Sequence, residues 1–253
     1  MIYFYGASFS TEYSELEAIY DKFICNKMPK GDWGYSKKTH DPSRYILPKS
    51  LPKNYPQLIS EALGIAYKNC SINGSSHTSM LDQLCKSNIK SGDHAIFSLT
   101  SPARDMYYAE DTNTVDLDAP SDPDEMNDVQ YNWKSAMCCF GMYSFCVQNN
   151  ITPWFINTMN VAHYKTEWSH PLWGQIPDKH WIIDKHSCVI ELFDKEYFCS
   201  SNDEEYQYRN DDWTKWIDTD NENVHKYMRP CYVHPNQQGR QLIADIIVEG
   251  IEK

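Results

Sequence analysis

The sequence predicts an α/β fold, and three features predict it. Short apolar runs rich in strand formers alternate with segments whose apolar residues recur at helical spacing. Two of the runs lead into small-residue turns and then a helical pattern: Met1 to Ser10, and Ile65 to Thr78. The end of the chain, Arg240 to Ile251, is an amphipathic helix with Leu242, Ile243, Ile246, Ile247 and Ile251 on one face. The 253 residues suit one large domain, 1–253, with irregular insertions at about 105–130 and 163–228.

The first strand is carried by Ile2, Tyr3, Phe4 and Tyr5, and Gly6 breaks it. Ser14 to Cys25 spaces Leu16, Ile19, Tyr20 and Phe23 as a helix, and Ser14 with Glu17 resembles a capping box. Met28 to Pro56, rich in Lys, Pro, Gly and Ser, reads as a loop. Tyr55 to Leu63 reads as a helix ending near Gly64, and Ile65 to Ile72 as a short strand. Asn73-Gly74-Ser75-Ser76-His77-Thr78 precedes a helical pattern through Met80, Leu81 and Leu84. Ser76 or Thr78 would cap that helix. His94 to Leu99 is a third strand, stopped by Pro102, and Arg104 follows it.

Ala109 to Asp128 is acidic, contains proline, shows no periodicity and reads as a solvated excursion. Tyr131 to Val147 is a long apolar-rich helix, and Ile151 to Thr158 a fourth strand whose Pro153 points to a sheet margin. His163 to Met228 holds Trp168, Trp173, Trp181, Trp213 and Trp216 among many acids, and reads as an irregular insertion. Within it, Trp181-Ile182-Ile183 and Cys188 to Phe193 are apolar runs open to strand or helix. Exposed aromatics beside carboxylates suit sugars, whereas Trp more commonly anchors a loop to a core. His234 is expected in a loop before the last helix.

A net charge of −12 argues against a general nucleic-acid binder or a binder of anionic membranes. No apolar run is long enough to span a bilayer, and no leader precedes the first strand, so a cytoplasmic protein is expected. Nine cysteines, with Cys138-Cys139 inside a helical stretch, suit reduced and mostly buried thiols. Cys231 and His234, with His225, keep a metal-dependent hydrolase open as a lesser reading. Ser8, in the turn after a strand, is the candidate nucleophile, because active residues of open α/β sheets lie at strand carboxyl ends.

Four short blocks, in this order, resemble the SGNH/GDSL hydrolase family, and within it the phage and bacterial branch that opens with Gly-Cys-Ser-Phe-Thr. They are Gly6-Ala7-Ser8-Phe9-Ser10, Asn69 to Ser76, Phe97 to Arg104, and His234-Pro235-Asn236 with Gly239. The match covers about residues 1–104 and 229–251. It implies a three-layer α/β/α sandwich around a flavodoxin-like parallel sheet of about five strands. It also implies a serine esterase acting on an O-acyl group, such as acetyl or a short acyl chain, of a small-molecule or carbohydrate ester, without metal or organic cofactor. Ser8 would be the nucleophile and His234 its base. Backbone N–H groups of Ser8 and Gly74 would hold the oxyanion, and Asn73 and Arg104 would contact substrate.

Two departures matter. The third block lacks the family's asparagine, for which the hydroxyl of Thr100 or Ser101 would substitute, or Arg104 electrostatically. The last block has Cys231 and Tyr232 where the family carries an acid before the histidine. Three completions stay open: a Ser–His dyad held by a backbone carbonyl, an acid from elsewhere such as Asp218 or Asp220, or a degenerate site. The last would make the chain a binding or structural module, virion-associated if of phage origin. The sequence leaves the oligomeric state open.

Overall fold

The computed structural model describes residues 1–6, 53–72, 75–100, 107–109, 114–116, 128–158, 170–189, 228–229, 234–235 and 237–253. Strand β1 (Ile2–Gly6) is buried along its whole length. Helix α1 (Tyr55–Leu63) starts at Asn54, whose side chain accepts the Gln57 amide at 2.8 Å. It stops at Gly64, whose φ of 64° lies in the left-handed region that glycine enters without a Cβ penalty. Strand β2 (Tyr67–Asn69) follows, then α2 (His77–Lys86), capped by Ser76 on the Ser79 amide at 3.1 Å. After β3 (His94–Leu99), a hairpin joins β4 (Tyr107–Ala109) to β5 (Thr114–Asp116). Helix α3 (Asp128–Gln148) leads to β6 (Thr152–Asn157) and to two 3₁₀ turns, Pro171–Gln175 and Asp178–His180. A bridge pairs β7 (Met228–Arg229) with β8 (His234–Pro235), and α4 (Gln237–Ile251) comes last.

The main sheet is parallel, with order β2-β1-β3-β6. Alternation along its strands separates two cores. Ile2, Phe4, Ile96 and Ile156 pack with Tyr55 and Ile59 of α1 and with Ile243, Ala244 and Ile247 of α4. Tyr3, Tyr5, Phe97, Leu99 and Phe155 pack with Met80 and Leu84 of α2 and with Cys139, Met142 and Cys146 of α3. The result is a sheet covered on both faces, compatible with a flavodoxin-like fold. The Phe97 ring stacks between Tyr5 and Phe155, at 5.2 and 5.1 Å. Burying one such side chain contributes about 1.5–3 kcal/mol.

Several expectations are corrected. The sheet has four strands among the described residues, not about five. Beyond β6 there is a one-residue parallel bridge, Phe155 to Trp181, because the chain turns away after Ile182 donates to the Phe155 carbonyl at 3.0 Å. The strand expected over Ile65 to Ile72 is regular only over Tyr67–Asn69, the stretch in register with Ile2, Tyr3 and Phe4. The excursion from Ala109 to Asp128 includes β5, because Thr114-Val115-Asp116 pairs with Tyr107–Ala109. Helices α3 and α4 each start a few residues earlier than their apolar patterns do. His234 is not in a loop: it pairs with Arg229 in the β7–β8 bridge.

Other expectations hold. Pro153 lies in an outer strand, and Trp173 and Trp181 are buried as anchors. Cys138, Cys139, Cys146 and Cys188 are buried thiols, none of them in a disulfide, and burial pushes the Cys146 thiol up to about 12. The helix expected over Ser14 to Cys25 lies outside the described residues, as do Trp168, Trp213 and Trp216. No helix among the described residues is long and apolar enough to cross a membrane.

Candidate active site

The chain reverses its direction of travel across the sheet between β1 and β3. It enters β2 through α1 on one face, and enters β3 through α2 on the other. In open α/β sheets, ligands bind beyond the strand carboxyl ends at such a switch point. Three segments named by the sequence end there. Gly6 stands opposite Ser98 in the β1–β3 register. Ile72 donates its N–H to the Gly6 carbonyl at 3.1 Å, and Cys70 donates to Phe4 at 2.8 Å, so the segment after β2 runs on beside β1. Ser75 N–H returns to the Ile72 carbonyl at 3.1 Å. Gly6, Ile72, Ser75 and Thr100, the placed neighbours of Ala7, Asn73, Gly74 and Ser101, therefore share one edge of the sheet. Ser8, Asn73, Gly74, Ser101 and Arg104 themselves lie outside the described residues, as do Asp218, Asp220, His225 and Cys231.

Thr100 is described, and it is fully buried. Its Oγ1 has no hydrogen-bond partner among the described residues. Beside it, Thr158 ties the end of β6 to the end of β3, donating N–H (3.1 Å) and Oγ1 (2.8 Å) to the Leu99 carbonyl. Asn157 donates its side-chain amide to the carbonyls of Lys185 (2.9 Å) and Ser187 (3.1 Å). An orphaned buried hydroxyl costs about 1–3 kcal/mol, which asks for a reason at a strand end surrounded by satisfied groups.

His234 is placed in its backbone, opposite Arg229. The next residue, Pro235, is buried, and its carbonyl accepts Arg240 Nε at 3.4 Å from the first turns of α4. The segment bearing the histidine is thus fastened to the helix that follows it.

Sequence reasoning named the Ser76 cap but missed the buried polar cluster that joins α2 to α3. Ser75, Ser76, His77 and Ser79 around the start of α2, and Asn132 and Ser135 in α3, are all buried. His77 Nδ1 lies 2.9 Å from Ser135 Oγ, and Asn132 Oδ1 accepts the Trp173 indole N–H at 3.2 Å. The available signal was the pair Asn132 and Ser135, three residues apart on the helix face that continues into Cys139 and Met142. Among the described residues, no group of three or more His, Cys, Asp or Glu side chains is arranged to hold a metal ion. No family model matches the chain, and no curated protein matches it.

Proposed function

We propose that the chain is a serine esterase of SGNH type that removes an O-acyl group from a small-molecule or carbohydrate ester. The observation that carries this reading is the convergence just described. The strand ends leading into the first three sequence blocks adjoin at the sheet's switch point, held by the Ile72–Gly6 hydrogen bond and the Gly6–Ser98 register. Thr100, whose buried hydroxyl has no hydrogen-bond partner among the described residues, stands at the end of β3 that leads into the third block.

In this mechanism the Ser8 hydroxyl attacks the ester carbonyl while His234 takes its proton. The acyl C–O bond breaks, His234 protonates the departing alcohol, and water then hydrolyses the acyl-serine by the same steps. Backbone N–H groups of Ser8 and Gly74, with the Thr100 or Ser101 hydroxyl, hold the oxyanion. Arg104 and Asn73 face the substrate. The finer fold assignment goes with this: an SGNH-type sandwich in which the bridge at Trp181 stands where a fifth strand would pair.

Hydrolysis of p-nitrophenyl acetate and labelling by a fluorophosphonate probe test the reading together. Wild-type protein is expected to turn over the ester and to label at Ser8, and Ser8→Ala to do neither while unfolding at the same temperature. A wild-type chain inert in both assays would make it a degenerate binding or structural module instead.

A further inference from the structure

We infer that His77 is a positioning residue for the oxyanion-binding turn, clamping it to α3 through Ser135; the inference rests on the esterase reading. His77 opens α2, directly after the Ser75–Ser76 pair that closes the second sequence block. Its imidazole is buried, and Nδ1 meets Ser135 Oγ at 2.9 Å across the gap between α2 and α3. Ser135 is a fixed post. One turn earlier on α3, Asn132 Oδ1 accepts both the Trp173 indole N–H at 3.2 Å and the His170 amide at 3.3 Å. The other side of the turn is also held. Ser76 caps α2 at the Ser79 amide, Ser75 N–H returns to Ile72, and Ile72 N–H bonds to Gly6.

The described residues on either side of the second block are therefore both held: Ile72 by β1, and the start of α2 by the His77–Ser135 pair. An apolar residue at 77 would pack between these helices without the desolvation cost of an imidazole. What the imidazole adds is direction: one hydrogen bond fixes the first residue of α2, and so the backbone N–H groups just before it. Oxyanion donors work only when held in place before the charge develops.

The test compares His77→Ala, His77→Asn and Ser135→Ala with wild type, in p-nitrophenyl acetate kinetics and in thermal unfolding. Asn places a side-chain amide where Nδ1 stands. His77→Ala is expected to lower kcat 10- to 100-fold with KM within twofold, and His77→Asn to recover most of that loss. Ser135→Ala is expected to lower kcat at least fivefold, and it decides the matter if His77→Ala does not fold. Full kcat in a folded His77→Ala or Ser135→Ala protein, against an active wild type, would overturn the clamp and leave the esterase reading intact. Equal losses in His77→Ala and His77→Asn would overturn it as well. An inert wild type would overturn both.

Discussion

The phenol of Tyr55, in the first turn of α1, hydrogen-bonds the hydroxyl of Ser98, the β3 residue that stands opposite Gly6. Both residues are fully buried, so neither group has water as an alternative partner. Tyr55→Phe leaves the Ser98 hydroxyl stranded and is expected to cost about 1–3 kcal/mol. Tyr55→Phe combined with Ser98→Ala removes both partners and is expected to cost less than the two single changes added together. Urea unfolding of the four proteins measures this, and simple additivity would show that the bond contributes nothing.

Thr100 separates stability from activity. Thr100→Val keeps the shape and removes a buried hydroxyl that has no partner among the described residues. Stability is expected to hold or rise, because an unsatisfied polar group goes. If the hydroxyl stabilises the oxyanion, kcat falls by about 10²-fold, the scale of losing one such donor. Undiminished kcat in Thr100→Val would transfer the role to Ser101.

His94 and His180, near the opposite edge of the sheet, give a pH dependence. Burial holds both imidazoles below their ordinary value of 6.5; at His94 the N-terminal ammonium adds to this while Asp93 opposes it. Trp154 Nε1 also donates to His94 Nδ1 at 3.2 Å, a bond that needs the unprotonated nitrogen. The folded form therefore binds fewer protons than the unfolded chain just below that value, and stability falls as pH drops through the window. Urea midpoints are expected to be lower at pH 5 than at pH 7.5. His94→Asn, which offers a carbonyl oxygen to the indole, should shrink the difference. Equal midpoints at the two pH values would count against it.

Gly250, in the last turn of α4, lies against the backbone of Ile182. A Cβ there would stand 2.9 Å from the Ile182 carbonyl oxygen and 2.6 Å from its Cγ2. Alanine favours helix by about 1 kcal/mol over glycine. The neighbour here includes backbone, which yields less readily than a side chain, so overpacking of about 1–3 kcal/mol wins. Gly250→Ala is expected to lower the thermal midpoint, and an unchanged or raised midpoint would show that Ile182 gives way.

What was legible in the sequence follows from the range of each signal. α1 and β3 keep their expected limits, because helical spacing with a glycine stop and an unbroken apolar run are local patterns. β2 is shorter than its sequence pattern: regular ladder pairing with β1 covers Tyr67–Asn69, while Cys70 and Ile72 reach β1 through single hydrogen bonds. The hairpin of β4 and β5 carries no alternation to mark it. In the candidate site, the strand–turn–helix units end at the carboxyl ends of β1 and β2, which adjoin in the sheet. The pairing of His77 with Ser135 spans 58 residues and two helices, and no local pattern reports it.

The outer border of β6 has a consequence for self-association. Pro153 brings no N–H, and its carbonyl faces the His180 imidazole at 2.9 Å. The Phe155 carbonyl is occupied by Ile182, and the Asn157 side chain holds Lys185 and Ser187 across the end. A second copy approaching along this flank meets the Pro153 and Phe155 carbonyls already taken. The segment that stops short of forming a strand thereby blocks strand addition at these positions of β6, one of the two borders of the sheet.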